Sequence, residues 1–303
     1  MAVILITGGA GFIGSNIVDE ALAAGHSVRV LDNLSTGKRD NIHPKAIFFQ
    51  GDITNFRNVE DAIKGTEYVL HLAAQASVVL STRDPQLDCA VNVIGTLNVL
   101  KASLENKVRH VIFLSTGGAI YGDVKTLPAS EDTAKRPLSP YGTSKAAAEL
   151  YCEYYSRLGL PVSILRLANV YGPRQDPLGE AGVCAIFLGN ILAKKPLTVF
   201  GDGSSTRDYV YVKDVAELVL MTMDRPLREP INVGTGEETS VNRLIEAILK
   251  ITSERPRIVY TDPRPGEVQR IRLEIAKARA LGWKPKTSLE QGLRAIWLSM
   301  RST

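Results

Sequence analysis

A chain of 303 residues, 45% of them hydrophobic, can fill one large or two ordinary cores, which excludes intrinsic disorder and a disulfide-stapled miniprotein. Its 36 basic and 32 acidic residues leave a formal charge of +4 and no long Lys/Arg block, so small anionic ligands are the expected partners and nucleic acid is not. The three cysteines, Cys89, Cys152 and Cys184, stand at wide, non-repeating spacings that suggest neither a metal cage nor a disulfide framework, and no run approaches the ~20 apolar residues of a membrane span. A cytoplasmic protein away from membranes is the expectation.

Through the first half of the chain, apolar runs alternate with amphipathic stretches. The pattern predicts strands over residues 3–7, 27–31, 46–50, 68–71, 110–115 and 162–167, with helices over 12–24, 58–64, 85–106 and 141–158. A parallel sheet covered by helices on both faces is the simplest packing of such an alternation. After residue 169 Pro and Gly become frequent, as in Tyr171-Gly172-Pro173 and Asp262-Pro263-Arg264-Pro265-Gly266, and helices are expected near 181–193, 213–224, 240–252 and 289–298. The shift predicts a first domain over 1–170 and a smaller α/β lobe over 171–303, with later segments able to return to the first.

The first strand runs directly into Gly8-Gly9-Ala10-Gly11-Phe12-Ile13-Gly14 and then a helix. Gly8 permits the tight turn, Gly11 lets the backbone approach a pyrophosphate, Gly14 allows close packing, and the helix N-terminus offers its N–H groups to phosphate. This is a Rossmann-type doubly wound α/β pattern. Eighteen residues after Gly14, Asp32 closes the second strand, where a carboxylate accepts the ribose hydroxyls of NAD and repels the 2'-phosphate of NADP; a turn or N-cap aspartate is the alternative. Asp52 fits either a place beside the adenine or a cap before Ile53 and Thr54.

Farther along, Tyr141-Gly142-Thr143-Ser144-Lys145 puts a tyrosine and a lysine four residues apart at a helix start, on one face. In a chain that also carries the glycine turn, Asp32 and a hydroxyl-bearing strand end at Ser115-Thr116, that spacing points to a general base. The lysine ammonium and a positive nicotinamide ring both favour the phenolate and lower its pKa.

These stretches resemble the extended short-chain dehydrogenase/reductases, and within them the UDP-glucose 4-epimerases. The likeness runs through the glycine turn, Leu31-Asp32-Asn33-Leu34-Ser35-Thr36-Gly37, Gly51-Asp52-Ile53, His71-Leu72-Ala73-Ala74, Asn92-Val93-Ile94-Gly95-Thr96 and Pro140 to Lys145. It continues through Arg166 to Pro173, Phe200-Gly201-Asp202-Gly203, Arg207-Asp208-Tyr209 and Arg264 to Glu267. It implies a catalytic group of Thr116, Tyr141 and Lys145. It implies that Gly8, Gly11, Phe12, Ile13, Asp32, Asn33, Ser35, Thr36, Gly37, Asp52, Ile53, Leu72, Ala73, Ala74, Gln75 and Ser115, with Tyr141 and Lys145, surround NAD. Asn169, Leu197, Val199, Arg207, Arg264 and Glu267 would hold the UDP moiety, with both arginines on the diphosphate. Gly117 and Gly118 would lie beside the sugar.

One departure stands out in that resemblance. Gly117 occupies the place where many epimerases carry a hydroxyl residue, so the role passes to Thr116 if the glycine pair loops out, with Ser115 as second choice. Neither glycine supplies the acid/base pair of a sugar-nucleotide dehydratase. The implied activity is NAD-dependent interconversion of UDP-glucose and UDP-galactose through a 4-keto sugar. Rivals are a UDP-glucuronate 4-epimerase or decarboxylase, a UDP-N-acetylglucosamine 4-epimerase and, from another class, a non-catalytic NAD-sensing protein. A homodimer pairing the 85–106 and 141–158 helices is also implied.

Overall fold

Strand β1 (Val3–Thr7) is central: Ile4, Leu5 and Ile6 are fully buried, as a parallel strand covered on both faces requires. The structure, a computed structural model, describes residues 1–177, 182–263 and 268–301. After β1 come α1 (Phe12–Ala23), β2 (Ser27–Asp32), β3 (Ile47–Gln50), α2 (Phe56–Ile63), β4 (Tyr68–His71), α3 (Val78–Arg83) and α4 (Pro85–Cys89). A π-helical turn over Ala90–Gly95 leads into α5 (Thr96–Glu105), followed by β5 (His110–Thr116), α6 (Gly117–Ile120), α7 (Pro140–Arg157) and β6 (Val162–Leu167).

The later elements are shorter. They are β7 (Asn169–Tyr171), α8 (Val183–Leu192), β8 (Leu197–Phe200), β9 (Thr206–Arg207), β10 (Tyr209–Tyr211), α9 (Val212–Met223), β11 (Ile231–Val233), β12 (Thr239–Ser240), α10 (Val241–Thr252), β13 (Ile258–Thr261), α11 (Ala276–Ala280) and α12 (Leu289–Arg301).

The seven-stranded sheet has the order β11-β6-β5-β4-β1-β2-β3. From β1 the chain winds outward through β2 and β3, then returns to β4 on the other side and continues to β5, all in parallel. The winding direction therefore reverses between β1 and β4, where Thr7 and His71 stand in register at the carboxyl ends of their strands. A doubly wound sheet opens its ligand crevice at such a reversal.

The chain divides into two compact units: Met1–Ile120 with Pro137–Arg166 and Ala216–Ile231, and Tyr121–Arg136 with Leu167–Val215 and Asn232–Thr303. The chain changes unit after Ile120 and again after Arg136, and a third time between Arg166 and Leu167, close to the change in composition. Residues 216–231 return to the first unit, and residues 121–136 belong to the second. Pro and Gly mark surface turns and do not say which core the next segment joins, so the second excursion left no mark in the sequence.

The helix expected over 85–106 is interrupted by its π-helical turn, within which a Cβ at Gly95 would stand 2.5 Å from Ile53 Cδ1. By length and composition alone Pro85–Glu105 could cross a bilayer, yet 44% of its apolar window is buried within the protein and Asp88 is bound to Gln75 and Asn92. The second unit has its own core, including Tyr171, Phe187, Leu197, Val199, Ile248 and Trp297, and carries the parallel pairs β7/β10 and β8/β13 and the antiparallel pair β9/β12.

Candidate active site

The glycine turn follows β1 at the reversal of the sheet. Gly8 has φ +72°, and a Cβ there would stand 2.8 Å from the Ala73 nitrogen, so the turn and the Leu72–Gln75 segment after β4 lie in contact. A Cβ at Gly14 would run into the Gly8 carbonyl. Gly11 is the N-cap of α1 without a side-chain cap, which leaves the N–H groups of Phe12 and Ile13 to an outside acceptor. A diphosphate fits that cradle, because the helix dipole and the N–H groups both favour an anion.

Asp32 serves the loop as well as the candidate cofactor site. One carboxylate oxygen accepts the Ala10 N–H at 3.0 Å and the other accepts the Leu34 N–H at 2.8 Å, which holds Leu34 in a left-handed turn at φ 59°. Each oxygen keeps a second lone pair for a ribose hydroxyl. Gly37 packs on Asp32 and Ala10, while Asn33, Ser35 and Thr36 are exposed around the carboxylate.

Asn33 Nδ2 donates to Asp52 Oδ2 at 2.7 Å, and the Thr54 N–H and hydroxyl donate to Oδ1, which is the local capping role weighed for Asp52. Partial burial raises the Asp52 pKa, but these hydrogen bonds outweigh it and leave the carboxyl below its ordinary value. Beneath the turn, Thr7 Oγ1 bonds His71 Nδ1 at 2.7 Å and accepts the Leu72 and Ala73 N–H groups, while His71 Nε2 meets Thr96 Oγ1 at 3.0 Å. Burial, with a smaller contribution from the Lys145 charge, pulls His71 down to about 3, so it acts as a neutral strut. Sequence reading had not singled out Thr7, Thr96 or this role of His71.

The catalytic candidates converge at the end of β5 and the start of α7. Ser139 caps α7 by accepting the Gly142 N–H at 3.2 Å, and Pro140 occupies the first turn. A Cβ at Gly142 would stand 2.6 Å from the Ala119 carbonyl, so only glycine lets α7 sit this close to α6. Thr116 closes β5 beside the half-buried Tyr141 phenol, where its hydroxyl favours the ionised form.

Lys145, one turn on, donates from Nζ to the Leu114 carbonyl at 2.7 Å and lies 4.1 Å from the Phe113 ring centre. That use of one N–H leaves donors for a ribose. Burial pulls Lys145 down to about 8, against the opposing pull of Glu149 and Asp88.

The sequence expectation of a lowered Tyr141 pKa does not hold for the protein alone. Burial and then the Asp88 charge push the phenol up to about 12, and the Thr116 hydrogen bond opposes them. Gly117 and Gly118 do not loop out: they open the helical turn α6, directly after Thr116. Ser115, the second choice for the hydroxyl role and a candidate cofactor contact, is buried and donates its hydroxyl to Glu149. Glu149, which interrupts the apolar stripe of α7 in the sequence, is fully buried against Arg166, whose Nη2 meets Oε2 at 2.8 Å.

In the second unit, β7 and β10 pair side by side and Asn169 donates its N–H to the Asp208 carbonyl, which brings Asn169 next to Arg207. Asp208, quoted in the Arg207-Asp208-Tyr209 stretch but given no role of its own there, anchors this region: its buried carboxylate accepts the Thr235 N–H and hydroxyl and the Gly236 and Leu273 N–H groups. Burial nevertheless raises its pKa. Arg207 Nη1 donates to the Thr206 carbonyl.

The side chains of Leu197 and Val199, expected to help hold the UDP moiety, lie in the core of this unit, which leaves their backbone groups for a ligand. A cleft of about 460 Å³ is lined by Phe200, Gly201, Asp202, Ser204, Ser205, Pro263 and Gln269. Arg264 and Glu267, expected to grip the nucleotide, lie outside the described residues. Among the described residues no cluster of His, Cys, Asp and Glu could hold a metal ion.

A phosphate cradle at the reversal of a parallel sheet, an acidic residue closing β2 and a Thr/Tyr/Lys group define a dinucleotide-dependent enzyme of the Rossmann class. The profile of the NAD dependent epimerase/dehydratase family matches residues 4–234. A UDP-glucose 4-epimerase of Mycolicibacterium smegmatis is 43% identical over 304 residues, covering 95% of either chain. The crystal structure of a UDP-glucose 4-epimerase from Thermotoga maritima with UDP-glucose matches with TM-score 0.97 at 46% identity over 99% of both chains. The UDP-glucose 4-epimerase of Thermus thermophilus in complex with NAD matches at 0.95 and 44%, again over 99% of both.

The chain belongs to the NAD-dependent epimerase/dehydratase family of extended short-chain dehydrogenase/reductases, and it is an enzyme whose cofactor is NAD. Gly14→Val is accordingly expected to yield folded protein without NAD, since the added side chain displaces the Gly8 carbonyl and with it the phosphate turn. Nucleotide released by acid from the purified variant checks this, and stoichiometric NAD would contradict it.

Proposed function

We propose that the enzyme inverts C4 of a UDP-hexose, interconverting UDP-glucose and UDP-galactose through a 4-keto sugar. The observation that carries this reading is Thr116, closing β5, beside the Tyr141 phenol at the start of α7, with Lys145 one turn along the same helix and bound to the Leu114 carbonyl. NAD, held at the glycine turn and Asp32, would supply the hydride acceptor and donor for C4. Tyr141 removes the proton from the 4-hydroxyl and gives it back, and Thr116 holds the oxygen that changes between alcohol and carbonyl. Lys145 holds the nicotinamide ribose and supplies a cation beside the phenol, against the burial that keeps the phenol protonated.

Asn169, Arg207, Arg264, Glu267 and the backbone of Leu197 and Val199 take the UDP moiety in this reading. Charge-assisted hydrogen bonds to the diphosphate retain the intermediate while the hexose stays loosely held and turns over. The small Gly117-Gly118 turn beside Thr116 offers no acid/base pair, which sets the reading apart from a dehydratase.

Product chromatography from UDP-galactose, the N-acetylated UDP-hexoses and UDP-glucuronate tests the assignment. UDP-glucose formed from UDP-galactose is the expected result. Carbon dioxide from UDP-glucuronate, with UDP-galactose untouched, would instead assign a decarboxylase.

The same reading includes a homodimer in the cytoplasm. Leu87 and Ile94 on the segment from α4 into the π-helical turn, and Leu150, Tyr151, Tyr154 and Leu158 at α7, are exposed apolar side chains. They suit burial against a second copy across a two-fold axis. A monomer by analytical ultracentrifugation at micromolar concentration would contradict it.

A further inference from the structure

Asp88 of α4 is completely buried, and neither the catalytic group nor the phosphate turn uses it. Its Oδ1 accepts Gln75 Nε2 at 2.8 Å and Asn92 Nδ2 at 2.9 Å, whereas its Oδ2 is buried without a hydrogen-bond partner among the described residues. Native proteins rarely leave a carboxylate oxygen in that condition without a functional reason, because desolvation of the charge goes uncompensated.

Asn92 in turn clamps the backbone of Gln75 from both sides, accepting its N–H at 3.0 Å and donating to its carbonyl at 2.8 Å. Asp88 thus anchors the end of the Leu72–Gln75 segment that lies against the glycine turn. On its other side α4 packs on α7, and the Asp88 charge reaches both the Tyr141 phenol and the Lys145 ammonium, disfavouring the phenolate and favouring the ammonium. Lys145 makes no hydrogen bond to it: the Nζ donates to the Leu114 carbonyl.

We infer that Asp88 is a positioning residue with two tasks: its Oδ1 holds the cofactor loop, and its charge, with Oδ2 unpartnered, is a counter-charge for the cationic nicotinamide ring, so the site prefers oxidised to reduced cofactor. The inference rests on the cofactor and on the Tyr141–Lys145 site of the preceding reading. No sugar enters its test, so each can fail alone. A buried charge beside the site of a ring that is positive in one redox state and neutral in the other discriminates between the two by electrostatics alone.

The experiment measures the affinities of the full chain for NAD⁺ and for NADH in the parent, Asp88→Asn and Asp88→Leu, with melting curves to confirm folding. Asp88→Asn keeps an acceptor for Gln75 and Asn92 and removes the charge. It is expected to weaken NAD⁺ about tenfold and to leave NADH within about twofold. Asp88→Leu loses the anchor too and weakens both. Should the Asn variant fail to fold, Asp88→Ser carries the same expectation. Equal losses for the two cofactors in the uncharged polar variant, or none for either, would overturn the counter-charge.

Discussion

Tyr141→Phe is expected to lower kcat by about a thousandfold while NAD remains bound at full occupancy. The loss follows from removing the group at the start of α7 that takes a proton from a sugar hydroxyl and returns it, a contribution of about 10²–10⁴ for a positioned base. The retention follows because the phosphate cradle, Asp32 and the Thr7–His71 strut do not involve the phenol. Burial and Asp88 hold the phenol at about 12 in the protein alone, so it becomes a base near neutrality only when further positive charge lies beside it.

The pH profile then has a definite sign. The phenol must be ionised to act, so kcat/KM for the parent falls as pH drops below the phenol's pKa in the cofactor-loaded enzyme, and the residual rate of Tyr141→Phe lacks that limb. Wild-type turnover in the variant, or the same acidic limb in both proteins, would remove Tyr141 as the base.

Arg166→Met is expected to destabilise the enzyme by about 3–5 kcal/mol, the cost of leaving one member of a buried ion pair without its partner. Glu149 is fully buried and Arg166 nearly so, with contacts of 3.1, 3.3 and 2.8 Å between guanidinium and carboxylate and a further hydrogen bond from Ser115. Tyr141, Lys145 and Glu149 recur at four-residue spacing on one face of α7, so the pair that ties Glu149 to β6 also fixes the catalytic face of the helix against the sheet. Replacing both members, as Glu149→Leu with Arg166→Met, removes the uncompensated charge and is expected to recover most of the stability. Urea midpoints at one pH measure both variants. A single variant as stable as the parent would show that the pair contributes nothing.

Much of this site was legible in the sequence, and for identifiable reasons. The glycine turn and Asp32 are positions where backbone approach and a negative charge are obligatory, so residue type and spacing carry the signal. Strands such as β1 and β4 declare themselves by their apolar runs, Val3–Ile6 and Tyr68–Leu70. What escaped notice acts through partners distant in sequence. Glu149 reads as a break in an apolar stripe because Arg166, seventeen residues on, is its partner only in three dimensions.

Asp208 and Asn92 likewise look like ordinary loop and helix polars until the backbone groups they satisfy are known. Leu197 and Val199 show the converse: a motif likeness assigned them to a ligand, and packing uses their side chains for the core. The Tyr141 pKa is of the same kind, since Asp88 lies fifty-three residues away and burial has no local signature.

The central claim is that the hydrogen removed from C4 goes back to C4 of the same sugar. UDP-glucose deuterated at C4, converted in ordinary water and examined by NMR, is predicted to give UDP-galactose with the deuterium still at C4. Loss of the label to solvent, or its appearance at C6, would contradict the account.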